Sequence, residues 1–213
     1  MINKLPKKGE RVEKASRFVP ECNSFLDVGC GDGIIAEFIK EKAKNIYGID
    51  NDSRELDKAR KRKLKVVRLD LDSEQIPFKV NFFDVITCLD VIEHVIDPNA
   101  LLKEMYRVLK KNGTLILSTP NIRFSDHLSK LIFGGSFPKT SIDSSLYDGG
   151  HLHFFTYKDV RDILEKNGFR NIKEDEIINK DARGWKGKIL INLIGDSMMR
   201  EFRSPGILII AKK

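Results

Sequence analysis

The run Phe25-Leu26-Asp27-Val28-Gly29-Cys30-Gly31-Asp32-Gly33 reads as an apolar strand entering a glycine-rich turn, with a helix expected over 34–42. Glycines there let the backbone approach a ligand, and the first N–H groups of the helix remain free to meet it. That combination suits a nucleotide-like ligand, although such a turn can also serve only tight strand-to-helix packing. A dinucleotide fingerprint would need a third glycine at position 34, where Ile34 stands, so NAD chemistry is disfavoured. Asp50 closes the next apolar run, and an acid at that place can accept hydrogen bonds from both hydroxyls of a ribose. Further on, His151 and His153 alternate in the stretch His-Leu-His-Phe-Phe-Thr. If extended, that stretch would point both imidazoles the same way, the side chain best suited to proton transfer near neutral pH.

These residues need a scaffold that brings them to one edge. Apolar, β-rich runs at 25–28, 46–49, 66–69, 85–88 and 115–118 alternate with helical patterns, the signature of a parallel sheet covered on both faces. Two more runs, 172–177 and 207–211, complete a seven-stranded, mostly parallel, doubly wound α/β sheet with helices on both faces. Between the fourth and fifth strands Asp97 can cap a helix, Pro98 suits its first position and Gly113 suits a left-handed stop. Leu101, Leu102, Met105, Val108 and Leu109 form its buried stripe. Thr156 with Asp159 marks a second capped helix that ends at Gly168, with Val160, Ile163 and Leu164 on its apolar side. In such sheets ligands bind beyond the carboxyl ends of the strands, which is where Gly29, Asp50, Asp70, Cys88 and Thr119 would lie.

The whole chain, 1–213, is read as a single domain with two segments outside this rhythm. Residues 121–155, rich in Gly, Ser and Asp, read as a long acceptor-side loop or lid with a short helix around 128–133. Residues 179–205 read as an amphipathic insertion between the last two strands. There Ile189, Leu190, Leu193, Ile194 and Met198 follow helical spacing beside Lys186, Lys188, Arg200 and Arg203. Such a helix packs on its own domain or touches a membrane surface. The excess of 38 Lys and Arg over 31 Asp and Glu, +7, tolerates an anionic partner without specifying nucleic acid. Three cysteines without CxxC spacing, Cys22, Cys30 and Cys88, indicate neither a disulfide framework nor a zinc ribbon. No apolar leader and no membrane-spanning run are present, so a cytoplasmic setting is expected.

Asp27-Val28-Gly29-Cys30-Gly31-Asp32-Gly33 resembles motif I of the class I S-adenosylmethionine-dependent methyltransferases, an acid followed by GxGxG. The similarity continues through Tyr47-Gly48-Ile49-Asp50, Arg68-Leu69-Asp70-Leu71-Asp72 and the stretch 83–95 with its Glu93-His94-Val95 ending. Arg107-Val108-Leu109-Lys110-Lys111-Asn112-Gly113 and Thr119-Pro120-Asn121 extend it, with Lys111 and Asn112 where the family has proline and glycine. These motifs cover about residues 24–170 in order. The resemblance implies S-adenosylmethionine as cofactor and S-adenosylhomocysteine as product. It places Asp27 by the methionine ammonium, Gly29, Cys30, Gly31 and Gly33 along the cofactor, and Asp50 with Asn51 on the ribose. Asp70 with Leu71, or in reserve Asp72, would meet the adenine, with Cys88 and Leu89 at the end of the fourth strand.

Within the resemblance, a ubiquinone-pathway group of O-methyltransferases holds a divalent metal with acidic and histidine side chains near the fourth strand. The matching residues are Asp90, Glu93 and His94, whose carboxylates and imidazole suit a hard or borderline ion. The same residues can merely brace the following helix, and no metal is assigned. His151, then His153 and His94, are the candidate bases for a hydroxyl acceptor. An NPPY-type tetrapeptide is missing after the fourth strand and no Pro-Cys pair exists, which points away from nucleobase amines and cytosine C5. The expected acceptor is a small molecule, sugar or lipid-linked intermediate. The alternatives are a nucleic-acid or protein methyltransferase and a non-catalytic cofactor-binding module.

Overall fold

The computed structural model describes residues 8–141, 147–177 and 196–213. Seven strands form one sheet: β1 Cys22–Val28, β2 Ala43–Asp50, β3 Lys65–Arg68, β4 Phe83–Leu89, β5 Leu109–Pro120, β6 Arg170–Ile177 and β7 Gly206–Lys212. Their spatial order is β3-β2-β1-β4-β5-β7-β6. β1 to β5 run parallel, and β7 pairs antiparallel with both β5 and β6. The chain moves outward from β1 to β3 and then returns to lay β4 against β1, so the strand order reverses there. Such a reversal opens a crevice at the carboxyl ends of β1 and β4.

Every strand but β3 is longer than the apolar run read for it, because flanking polar residues continue the ladder once the Val, Ile and Leu positions have fixed the register; β3 keeps four residues but is shifted by one, leaving Leu69 just past its end. Around the sheet lie α1 Lys8–Ser16, α2 Ile35–Ile39, α3 Ser53–Lys61, α4 Pro98–Val108, α5 Ser125–Phe133, α6 Tyr157–Lys166 and α7 Asp196–Arg203. One face carries Leu101, Leu102, Met105, Val160 and Leu164 against Ile86, Leu115 and Ile209. The other carries Val12, Ala15, Ile35 and Ile39 against Phe25, Val85 and Leu208. Each fully buried Val, Leu, Ile, Met or Phe side chain among them contributes about 1.5–3 kcal/mol of transfer free energy.

α4 begins as expected, with Asp97 accepting from the N–H groups of Asn99 and Ala100 and Pro98 in the first turn. Its stop is not Gly113. The helix ends at Val108, Leu109 is already extended, and Asn112 takes the left-handed conformation at φ 62° while Gly113 lies within β5. Asn is among the few residues that accept this conformation at low cost, which explains its presence where the family has glycine. α2 is also shorter than the expected 34–42 helix, because its last turn tightens, with Lys42 N–H on the Ile39 carbonyl, to feed β2. α6 has the full capping box, Thr156 and Asp159 bonding reciprocally. α5 starts at Ser125, three residues before the expected short helix. α1 was not foreseen, since Val12 and Ala15 are its only buried apolar residues. In the expected amphipathic insertion, α7 is seen from Asp196, and positions 179–195 lie outside the described residues.

Candidate active site

Gly29, Gly31 and Gly33 all adopt positive φ, 69°, 52° and 72°. At Gly29 a Cβ would lie 2.2 Å from Val91 Cγ2, and at Gly33 it would lie 2.9 Å from Ala59 Cβ. Both positions therefore need glycine for space as well as for conformation. The N–H groups of Gly29 and Cys30 both bond to the Ile49 carbonyl, which clamps the turn to the end of β2. Cys30 is buried, with its sulfur packed where a Gly48 side chain would be, so its thiol serves the packing. Asp50 Oδ2 accepts from Gly31 N–H at 2.7 Å, and its Oδ1 accepts from Asp52 N–H at 3.0 Å. Asn51 is exposed and its carbonyl accepts from Arg68 Nε.

Asp27 is buried at the end of β1, where Thr87 Oγ1 on β4 donates to its Oδ1 at 2.6 Å. Asp70 is exposed just past β3, and the Asp72 N–H and then the Ser73 hydroxyl hold its carboxyl below the usual carboxylate range. Leu71 packs on the core beside it and also lines a shallow cavity of about 330 Å³ with Ile76 and Leu101. Asp72, the reserve, turns away and accepts from Ile96 N–H. On β4, Cys88 is fully buried and its thiol is pushed well up by burial, while Leu89 faces the opposite side of the sheet.

Past β4 the chain passes through Asp90, which takes positive φ at 56°. Its two oxygens are engaged by Ser118 Oγ at 3.0 Å and by Arg11 of α1 at 2.6 Å. Glu93 follows, entirely buried, and Thr119 Oγ1 donates to its Oε2 at 2.9 Å. Its Oε1 has no hydrogen-bond partner among the described residues. Burial first, then the Asp90 charge, pushes the Glu93 carboxyl up to about 8. His151 Nε2 stands 3.9 Å from that oxygen, too far for a direct bond. The His94 and His151 rings meet edge to face at 4.7 Å. Burial and the neighbouring His94 lower the His151 pKa from its usual value, so its ring is neutral at pH 7. Glu93, His94 and His151 each present one donor atom, all within 4.8 Å of one another.

His153 does not join them. The N–H groups of Leu152 and His153 both bond to the Glu93 carbonyl, so this stretch is bent rather than extended. The alternation expected to align the two imidazoles therefore fails, and His153 Nε2 lies 2.9 Å from the Val95 carbonyl instead. Asn121, at the end of β5, fastens the loop base. Its Nδ2 donates to the Glu201 and Ser204 carbonyls, and its backbone bridges Phe155. Thr119 was expected at the ligand edge, but Arg11, Thr140 and Asp148 were not singled out as site residues in the sequence. Arg11 had no signal in a charged leader, whereas Asp148 before two glycines carried a turn signal whose side-chain role only the folded loop displays.

Residues 3–174 match the protein family described as Methyltransferase domain. The chain is 35% identical over 104 residues to a ubiquinone biosynthesis O-methyltransferase of Pseudomonas aeruginosa strain UCBPP-PA14, covering 45% of this chain and 44% of that one. It is 29% identical over 170 residues to the Pseudomonas fluorescens Pf0-1 protein of the same name, covering 71% and 69%. The chain spans about half the length of the curated relatives it matches. A crystal structure of an S-adenosylmethionine-dependent methyltransferase from Thermotoga maritima, described as a possible histamine N-methyltransferase, superposes with a TM-score of 0.68. That match covers 96% of this chain and 89% of the other at 22% identity, and it shows the fold alone.

Proposed function

The chain belongs to the class I S-adenosylmethionine-dependent methyltransferases, and from that membership we propose that it methylates a hydroxyl oxygen of a small molecule, sugar or lipid-linked intermediate. The observation that carries this reading is the buried pair of His151 and Glu93, the latter just past the carboxyl end of β4. Asp50 accepts from the ribose, Asp70 and Leu71 meet the adenine, and Asp27 lies toward the methionine end. The relatives named as O-methyltransferases support oxygen over nitrogen as the acceptor atom.

Methyl transfer from a sulfonium is an in-line displacement, so the protein aligns oxygen, methyl carbon and sulfur and excludes water. As the acceptor oxygen forms its bond to the methyl carbon, the carbon–sulfur bond breaks and S-adenosylhomocysteine leaves. The hydroxyl proton passes to His151, which is neutral at pH 7 and therefore free to receive it. Glu93, holding its own proton at that pH, adds no unpaired buried charge to the site.

As an alternative to that proton transfer, the unpartnered Glu93 Oε1 fits a divalent cation, which an ionised Glu93 with His94 and His151 would hold, Asp90 being diverted to Arg11 and His151 then no longer serving as the base. Such an ion supplies acidity to a bound acceptor hydroxyl. The test is turnover of a panel of hydroxylated acceptors, read as S-adenosylhomocysteine formed, before and after EDTA. A methyl ether product sustains the proposal, and a product methylated only on nitrogen overturns it. Nucleic acid is not the proposed partner, and among the described residues no helix is long and apolar enough to cross a membrane.

A further inference from the structure

Asp148 is a buried acid outside the cofactor assignments made above, and it lies in a left-handed turn directly before His151. Asp148, Gly149 and Gly150 have φ of 48°, 67° and 80° in succession. A run of three left-handed residues is unfavourable unless its surroundings hold it, and such strain gathers where a side chain must be aimed. Asp148 Oδ1 accepts from the N–H groups of Thr140 at 2.5 Å and Ser141 at 2.9 Å. Its Oδ2 lies 2.8 Å from Thr140 Oγ1, which in turn lies 2.6 Å from His151 Nδ1. The direct separation of His151 Nδ1 from Asp148 Oδ2 is 3.6 Å, beyond hydrogen-bond reach, so the threonine hydroxyl is interposed.

The direction of this chain follows from the chemistry of its members. A carboxylate only accepts, and a hydroxyl has a single proton to give. Thr140 therefore donates to Asp148 and offers its lone pairs to the ring, which must carry its hydrogen on Nδ1. We propose that Asp148 and Thr140 are positioning residues that lock His151 in the Nδ1–H tautomer, leaving the lone pair of Nε2 turned toward Glu93 and the acceptor. The inference rests on the reading of His151 as the proton acceptor and deepens it. Without the lock, the ring could turn an N–H at the acceptor, and a ring nitrogen that carries a hydrogen has no free lone pair with which to take a proton.

The tautomer can be read without cofactor or acceptor, so the test stands apart from the methyltransferase reading. Long-range 1H–15N spectra of the ring nitrogens, recorded on the full chain above the histidine titration, assign His151 by comparison with His151→Gln. The expected result is Nδ1–H in the wild type, a shift to Nε2–H as the major form in Thr140→Val, and return of Nδ1–H in Thr140→Ser. Wild-type protein with its hydrogen on Nε2 overturns the proposal even if neither variant folds. So does a folded Thr140→Val protein whose tautomer is unchanged, because a hydroxyl that only laces the loop would leave the ring as it was. Calorimetry with S-adenosylmethionine tests the underlying reading separately, since loss of cofactor binding there leaves the tautomer result intact.

Discussion

Asp50 Oδ2 accepts a 2.7 Å hydrogen bond from the backbone N–H of Gly31, so the acid at the end of β2 is held by the glycine turn at the end of β1. The two motifs that the chain separates by nineteen positions therefore act as one piece. Changing either alters the shape of the other.

The first consequence concerns Gly29. In Gly29→Ala a methyl would collide with Val91 Cγ2 at 2.2 Å in a left-handed backbone that itself costs about 1–2 kcal/mol. The variant should melt several degrees lower and lose cofactor binding. Gly135→Ala is the control: its φ is 61° but nothing lies within 4 Å, so it should lose stability only and keep the cofactor. Melting curves and calorimetry on both proteins make the comparison.

His151 and His153 should separate sharply. His151→Asn is expected to lower turnover by about 10²–10⁴-fold while S-adenosylhomocysteine affinity stays within roughly twofold. His153→Asn should instead cost roughly 1 kcal/mol of stability, through the lost bond to the Val95 carbonyl, with turnover nearly kept. Steady-state kinetics with urea unfolding distinguishes the two, and equal losses of turnover would refute the division.

Stability should depend on pH through Glu93. Its carboxyl is raised from 4.5 to about 8 in the folded chain, so the folded state holds a proton that the unfolded state releases. That contribution is complete below 4.5 and is lost as pH rises through about 8. His151 acts in the other direction: its folded pKa is depressed, so stability falls as pH drops below 6.5. In EDTA-treated protein, Glu93→Gln should therefore lose less melting temperature than the wild type between about pH 5 and pH 8.5. An identical slope in both proteins would show that Glu93 does not titrate there.

Much of the sheet was legible because buried parallel strands are near-continuous runs of Val, Ile, Leu and Phe, as at 25–28 and 115–118. The glycine turn and the acids at strand ends were legible because a local spacing carries them. What the sequence hid was tertiary. Gly113 looked like a helix stop because nothing local reveals that Leu109 pairs with Phe83 and has already entered β5. The bend that parts His153 from His151 depends on the Glu93 carbonyl, far away in the chain. Arg11 reaches Asp90 only because α1 packs on the far face of β1 and β4.

The most direct measurement is calorimetric titration of the chain with S-adenosylmethionine, beside S-adenosylhomocysteine, NAD and the Asp50→Ala variant. Both adenosyl ligands should bind with micromolar affinity, NAD should not, and Asp50→Ala should weaken binding by about 10-fold or more through the lost charged hydrogen bonds. Failure of both adenosyl ligands to bind, or a preference for NAD, would contradict the assignment of the cofactor site.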